Sequence, residues 1–190
     1  DFTNDFARVR SILRDEMLVR RPGPVRASDG ISLLSRLDER TAARTAGIEQ
    51  ALLHIAKSLE PLPGAKSVVL IGYGFGRFSW SGVVLMDGYE AAAAALKQAR
   101  VSVFTLNVTQ ADFNSLQAGL QSVSAETGGI YESLFHFPVL AIRRVANALS
   151  GHYVLFVERP VLPAGTHRIE VRLPSGRGRL VAARGFVRVP

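Results

Sequence analysis

The residues best placed for chemistry in this chain are the five that directly follow the apolar run at positions 68–71. In open α/β proteins, ligands bind at the carboxyl ends of parallel strands. Tyr73 has the only polar side chain in this turn, and its neutral phenol is a poor ligand for a hard cation and a poor proton carrier at neutral pH. We therefore expect no metal and no acid–base centre here. The five residues are Gly72, Tyr73, Gly74, Phe75 and Gly76.

The rest of the sequence also lacks the motifs that catalysis would require. The chain has no Cys, so thiolate metal sites and disulfides are excluded. It contains four His, but no G-x-S-x-G or H-E-x-x-H pattern accompanies them. The glycines at 72–76 follow a G-x-G-x-G spacing, whereas dinucleotide sites use G-x-G-x-x-G opening a helix. We expect a protein that is not an enzyme and has no cofactor, with a dinucleotide-binding enzyme as the least favoured alternative.

The run at 68–71 indicates the class of fold. It is short, rich in β-branched residues and bounded by Pro61, Pro63 and Gly64 on one side and by glycines on the other. This pattern predicts a strand buried on both faces, interior to a parallel sheet. A helix at 89–99 and a second strand at 101–106 follow, so we expect a crossover that pairs the two strands in parallel.

The remaining periodicities complete an α/β core. We expect an α/β fold with a three-layer, mostly parallel sheet flanked by helices and a C-terminal antiparallel meander. Thr3 or Asn4 is expected to cap the first helix, Asp87 the helix at 89–99, and Asp112 the helix that ends at Gly128–Gly129. The predicted helices span 5–19, 39–59, 89–99, 112–127 and 138–149, the latter starting at Pro138, and the predicted later strands span 130–131, 153–157, 166–173 and 180–189.

Two domains are expected, an α/β core at 1–150 and a β extension at 151–190. About 40 residues without Cys are too few for an independent core. The extension should therefore pack on the core, with Ile169, Val171 and Leu173 covering apolar surface.

Several short segments resemble one known family when their order and spacing are taken together. The chain resembles the von Willebrand factor A-like (VWA) fold, and more closely the bacterial VWA-related proteins that have a β tail. FTND at 2–5 is similar to the segment that follows the early edge strands of that family. The other segments are LPGAK at 62–66, ARVSVFTL at 99–106, SAETGG at 124–129, HYVL at 152–155, HRIEV at 167–171 and VAARGF at 181–186.

The resemblance implies a metal site built from three loops. The first loop, Asp-x-Ser-x-Ser, does not occur in these 190 residues, so the core is expected to be N-terminally incomplete. Thr41 or Thr45 could match the second loop, although each is more typical of a helix cap. At the third loop, Tyr73 stands where the family has an acidic residue. The resemblance thus implies a degenerate metal site and, more often than not, an extracytoplasmic or secreted setting.

An apolar loop at 75–88 is the best candidate for a partner-binding surface. Trp and Arg dominate the energetic centres of protein interfaces. The alternative is a small local core that folds against the domain. The candidate partner-binding residues are Tyr73, Phe75, Arg77, Phe78 and Trp80.

Charge and hydropathy limit the classes of partner. The net charge is +7, but the basic residues are spread over the whole chain and no aromatic–basic RNA-binding motif is present, so we expect no nucleic acid. No window is long and apolar enough to span a membrane. We expect a non-enzymatic protein–protein interaction or adhesion module, and self-association through an unpaired sheet edge is possible. The alternative is a metal-dependent adhesion VWA domain whose first ligand loop lies on a missing N-terminal segment.

Overall fold

The protein has an α/β fold, seen in a computed structural model that describes residues 3–16, 32–151, 163, 165–172 and 185–189. A three-stranded parallel sheet is flanked by helices, and two small antiparallel sheets have two strands each. The chain divides into two compact units, Asp1–Ala46 and Gly47–Pro190.

The first unit is helical where it is described. Helix α1 (Phe6–Ser11) continues into a π-helix (Ile12–Glu16), a 3₁₀ helix follows (Leu34–Arg36), and α2 spans Glu39–Ala43. Asp5 caps α1, since its Oδ1 accepts a hydrogen bond from the Arg8 N–H at 2.9 Å. The prediction of Thr3 or Asn4 as the cap is wrong, and the end of the predicted helix, at 17–19, lies outside the described residues.

The single helix predicted at 39–59 is instead two helices. Helix α2 ends at Ala43, and α3 begins at Ile48 and ends at Leu59. Gly47, the N-cap of α3, has an extended backbone with φ −135° and ψ 155°, which a continuous helix cannot contain. The apolar periodicity of 48–59 was sufficient to predict α3 but not the break before it.

The second unit contains the parallel sheet. Its strands run in the order β1–β4–β5, and Val68 of β1 lies opposite Val103 of β4. The predicted parallel pairing of these two strands is confirmed. The elements are α3 (Ile48–Leu59), β1 (Lys66–Gly72), β2 (Arg77–Ser79), β3 (Gly82–Val84), α4 (Tyr89–Gln98), β4 (Val101–Asn107), α5 (Gln117–Thr127), β5 (Tyr131–Ser133), α6 (Pro138–Leu149), β6 (Gly165–Ile169) and β7 (Gly185–Val189).

Strand β4 is the buried centre of the sheet. On one face, Thr105 Oγ1 lies 2.7 Å from Ser124 Oγ of α5. On the other face, Phe104 and Leu106 pack with Ile130 and with Val145 of α6. Because successive side chains of a strand point to opposite faces, α5 and α6 cover opposite sides of the sheet and form three layers.

Strand β1 is not buried on both faces, so this prediction is wrong. Within the described residues it pairs only with β4, so it is an edge strand. Val69 is 43% exposed and Ile71 60% exposed, while Val68 and Leu70 are half-buried. Val69 shares the sheet face of Phe104, where α6 packs on β4 and β5. The apolar run is therefore continuous in sequence although only one of its faces is covered.

Glycine occupies helix caps of α3, α4 and α5 in this unit, at Gly47, Gly88 and Gly128. Helix α5 stops at Gly128, which has φ +80°, as predicted. A Cβ on Gly129 would lie 1.9 Å from the Val103 carbonyl oxygen, so only glycine fits against β4. The predicted caps Asp112 and Asp87 are wrong, because Leu116 and Gly88 occupy the N-cap positions without side-chain capping bonds.

The C-terminal residues form a hairpin-like pair of strands. Strands β6 and β7 are antiparallel, with Thr166 opposite Arg188. The predicted strand at 166–173 ends at Ile169, and the strand predicted at 153–157 lies outside the described residues. Packing of this extension on the core stays a prediction.

A buried phenol links α4 to α5 and predicts a pH dependence of stability. The Tyr89 hydroxyl donates to Glu126 Oε1 at 2.9 Å, and Lys97 Nζ lies 3.4 Å from Glu126 Oε2. Burial, and secondly the hydrogen bond to Glu126, raise the pKa of Tyr89 above its ordinary value. Above pH ~10 the unfolded chain loses this proton while the folded chain keeps it, so stability falls as pH rises.

We predict that Tyr89→Phe removes this contribution. At pH 8 the variant should be less stable by about 1.5–3 kcal/mol, the net value of a hydrogen bond to a charged group. Urea unfolding at pH 8 and at pH 11 should show the difference shrinking at the higher pH. A difference that stays constant would mean that Tyr89 titrates alike in both states.

Candidate functional site

A group of uncharged polar side chains lies at the carboxyl edge of the sheet, where β4 ends and β5 begins. The buried Asn107 side chain donates from Nδ2 to the Tyr131 hydroxyl at 3.0 Å. That hydroxyl in turn donates to Gln117 Oε1 at 3.0 Å. These neutral groups satisfy one another, and the prediction missed them although Asn107 directly follows the strand predicted at 101–106.

Tyr73 lies exposed at the end of β1, and its backbone is fixed by the same edge. Its carbonyl oxygen accepts from Asn114 Nδ2 at 2.5 Å and from Thr109 Oγ1 at 3.3 Å. Thr109 is held in turn, because its N–H donates to Asn107 Oδ1 at 2.9 Å. The phenol of Tyr73 is left facing solvent.

No cluster of three or more His, Asp or Glu side chains suited to a metal ion occurs in the part of the chain that is described. The two threonines considered for a metal loop lie in the first unit and have local partners. Thr41 Oγ1 donates to Asp38, and Thr45 Oγ1 donates to the Thr41 carbonyl oxygen at 2.9 Å. These contacts are those of helix-capping and helix-terminal residues.

The glycine turn after β1 has a structural explanation. Gly74 has φ +125°, and a Cβ there would lie 2.5 Å from the Leu116 backbone. Gly76 has φ +114°, and a Cβ there would lie 2.7 Å from Val83 Cγ1. Since β2 and not a helix follows this turn, the geometry does not favour a dinucleotide site.

The loop predicted at 75–88 contains a two-stranded β-hairpin. Strands β2 and β3 pair antiparallel, with Phe78 opposite Val83 and Ser79 opposite Gly82. Trp80 and Ser81 form the turn, and the Ser81 N–H donates to Ser79 Oγ at 3.2 Å. We call residues 77–84 the aromatic hairpin.

The aromatic hairpin presents its large side chains to solvent. Trp80 is fully exposed (109%) and Phe78 is 65% exposed. Arg77, Val84 and Met86 are exposed beside them. Contiguous exposed apolar side chains are uncommon on the surface of monomeric proteins, so this group is a candidate interaction site.

Phe75 differs from the other four predicted residues. It is only 4% exposed, and its ring centroid lies 6.3 Å from that of Tyr89. A Cβ on Gly119 would come within 2.9 Å of the Phe75 ring, so α5 packs directly on it. The local-core interpretation thus describes Phe75, while Tyr73, Arg77, Phe78 and Trp80 lie on the surface.

Both ends of the aromatic hairpin are anchored to the second unit. The Phe75 N–H donates to the Leu116 carbonyl oxygen at 3.1 Å. On the other side, the Met86 N–H donates to Oε1 of the buried Glu49 side chain at 3.2 Å. A binding element held at both ends loses less conformational entropy when it meets a partner.

The aromatic hairpin carries a single charge, which is positive. Between Lys66 and Met86 the chain has no acidic residue, and Arg77 is the only charged residue of the hairpin. The aromatic hairpin is therefore an apolar surface with one guanidinium at its base. Its chemistry favours an apolar partner surface with a carboxylate nearby.

A second group of exposed aromatic side chains was missed by the sequence analysis. Phe113, Phe135 and Phe137 are exposed. His136, which stands between the last two in sequence, has its Nε2 at 2.5 Å from Oδ1 of Asp112. The signal was available, since three aromatic rings stand in succession at 135–137 before Pro138. Neither end of the His136–Asp112 pair is buried, so it offers no desolvated acid–base centre.

Comparisons with known proteins leave these surfaces to be interpreted on their own geometry. No protein-family model, curated protein or solved structure matches the chain. Among the described residues, no helix combines the length and apolar character required to cross a bilayer.

The contrast between Phe75 and Phe78 can be tested by the same substitution at both positions. We predict that Phe75→Ala destabilises the fold by about 3–5 kcal/mol, as expected for a buried Phe. Phe78→Ala should change stability by no more than about 0.5 kcal/mol, as for an exposed residue. Urea unfolding followed by circular dichroism measures both values, and equal losses would contradict the exposure of Phe78.

Proposed function

We propose that this chain is a non-enzymatic protein–protein interaction or adhesion module, and that the aromatic hairpin is its binding surface. The observation that carries the proposal is the exposure of Trp80 and Phe78 on a hairpin anchored at both ends. Trp is the residue type most enriched among the energetic centres of protein interfaces, and Arg77 supplies the charged contact that often accompanies it.

A VWA-like fold with a degenerate metal site is part of this proposal. It is supported by the crossover order β1–α4–β4–α5–β5 and by helices on both faces of the parallel sheet. The neutral side chains of Tyr73, Asn107 and Tyr131 support the degenerate site, because Mg²⁺ and Ca²⁺ bind preferentially to carboxylates. An extracytoplasmic setting follows from the resemblance alone.

One observation favours a second candidate function. The edge of β1 that has no partner among the described residues can accept another strand, so a metal-dependent adhesion VWA domain could be completed by a ligand loop on a segment outside these 190 residues. In that arrangement the cation would bind in the full-length protein and not in this chain.

The main proposal is tested by affinity capture from an extract of the cells that make the protein. We predict that wild type enriches a defined protein that Phe78→Ala/Trp80→Ala loses at least tenfold, which corresponds to ~1.4 kcal/mol or more. Phe113→Ala/Phe137→Ala is the matched control, because these rings are about equally exposed outside the hairpin. Quantitative mass spectrometry reads the enrichment, and equal capture by all three proteins would contradict the proposal.

The metal question is tested by calorimetry with MgCl₂ and CaCl₂. We predict no stoichiometric heat of binding for this chain, because Tyr73 provides a neutral phenol where a carboxylate would be required. Binding that EDTA reverses and that Thr45→Ala abolishes would contradict the degenerate site. Heat that appears only with the full-length protein would favour the second candidate.

A further inference from the structure

Within the described residues β1 pairs on one side only, so its other edge presents a short, regular row of backbone hydrogen-bonding groups. At one end of β1, the Lys66 N–H donates to the Arg100 carbonyl oxygen at 2.9 Å. At the other end, the Gly72 carbonyl oxygen accepts from the Val108 N–H at 3.0 Å. Alternate residues of a parallel strand bond to the same neighbour. Residues 66, 68, 70 and 72 therefore face β4, and Ser67, Val69 and Ile71 direct their N–H and C=O groups away from it.

The residues of this edge lack the sequence features that usually protect an edge strand. Proteins block free edges with Pro, with charged side chains or with bulges. Residues 67–71 contain neither Pro nor a charge, and their register with β4 is unbroken. The side chains of Val69 and Ile71 are also exposed on the same strand. An edge with exposed apolar side chains and no protection is suited to pairing with another strand.

We propose that β1 pairs antiparallel with β1 of a second copy of this chain, about a two-fold axis at Val69. The three outward residues are symmetric about Val69. In this arrangement Val69 lies opposite Val69 of the other copy, and Ser67 lies opposite Ile71. All the outward N–H and C=O groups of the three residues then find partners, and a six-stranded sheet results.

The charges at the ends of β1 favour this orientation over a parallel one. Lys66 lies beside Arg100, and burial, followed by the charge of that guanidinium, lowers the pKa of Lys66. A parallel second copy would bring another Lys66 and Arg100 to the same end. In the antiparallel pair, Lys66 of each copy lies opposite the uncharged Gly72 of the other, so the like charges are separated by the length of the strand.

The edge of β1 is distinct from the aromatic hairpin, so this proposal does not rest on the proposed function. The two are separated experimentally by placing a Lys in turn at two exposed valines. Val69→Lys puts a charge on the paired edge, whereas Val139→Lys on α6 alters neither the edge nor the hairpin.

Sedimentation equilibrium at protein concentrations from about 1 to 100 μM, the range of moderate-affinity association, tests the proposal. We expect wild type and Val139→Lys to form a dimer and Val69→Lys to be a monomer with an unchanged melting temperature. Variants with one introduced cysteine report the register of the two β1 strands, because the chain has no other Cys. Val69→Cys should form a disulfide-linked dimer on mild oxidation, since opposed Cα atoms lie about 5.5 Å apart.

Ser67→Cys is the register control. The two introduced thiols would lie about 13 Å apart along the antiparallel strands, beyond disulfide reach. It should cross-link only when mixed with Ile71→Cys. A wild type that is monomeric at about 100 μM, a concentration that detects even weak association, would overturn the proposal. Labelling of Val69→Cys with maleimide would then give the reason. A thiol that does not react would mean that another segment of the chain covers the edge. A dimer that persists in Val69→Lys, or that cross-links through Ser67→Cys alone, would overturn it too.

Discussion

Burial of β4 between α5 and α6 is the interaction on which the second unit depends. Val101 and Val103 are almost inaccessible to solvent, and Phe104 and Leu106 pack under α6. Burial of each such side chain contributes about 1.5–3 kcal/mol relative to exposure.

The two faces of β4 make different kinds of contact with the helices that cover them. The α6 side is apolar, while on the α5 side Thr105 shares hydrogen bonds with Leu120 and Ser124, and Thr127 Oγ1 accepts from the Val103 N–H at 2.9 Å. The position of α5 along the strand is thereby defined, and with it the loop that holds the glycine turn.

The loop before α5 connects the packed core to the aromatic hairpin on the surface. Leu116 immediately precedes α5, its carbonyl oxygen accepts from the Phe75 N–H, and its backbone lies where a side chain on Gly74 would have to be. Phe75 then fills the space between α5 and Tyr89. The chain leaves this contact as β2, so the aromatic hairpin projects from a residue that is itself part of the core. The buried Glu49 carboxylate holds the other end through the Met86 N–H. A hairpin of three residues per strand would be marginal alone, and these anchors are what allow it to present Trp80 in a defined place.

The sequence allowed the α/β class, the parallel pairing of β1 with β4 and most elements of the second unit to be predicted, because their apolar periods and glycine boundaries are local. The burial of β1 could not be predicted, since an apolar run does not reveal whether a neighbouring strand or helix covers it. The break at Gly47 depends on one backbone conformation, which the apolar period of 39–59 conceals. In the candidate site, aromatic and charged residue types were sufficient to select Arg77, Phe78 and Trp80, which the structure places on the surface. Only tertiary packing separates Phe75 from them, because its burial depends on Gly119, more than 40 residues away in sequence.

The neutral side chains around Tyr73 and the exposed hairpin are physically related. A carboxylate at Tyr73 would need either a cation or full hydration, and it would discourage an apolar partner by the cost of its desolvation. The amide and hydroxyl groups of Asn107, Tyr131 and Gln117 instead bond to one another, and Thr109 and Asn114 bond to the Tyr73 carbonyl oxygen. Polar groups that are already paired with one another attract ions and highly polar ligands only weakly, and they impose little electrostatic cost on a neighbouring apolar contact. In the proposed complex, binding energy would come from burial of the hairpin aromatic side chains, and the single guanidinium of Arg77 would select the orientation of the partner without dominating its affinity.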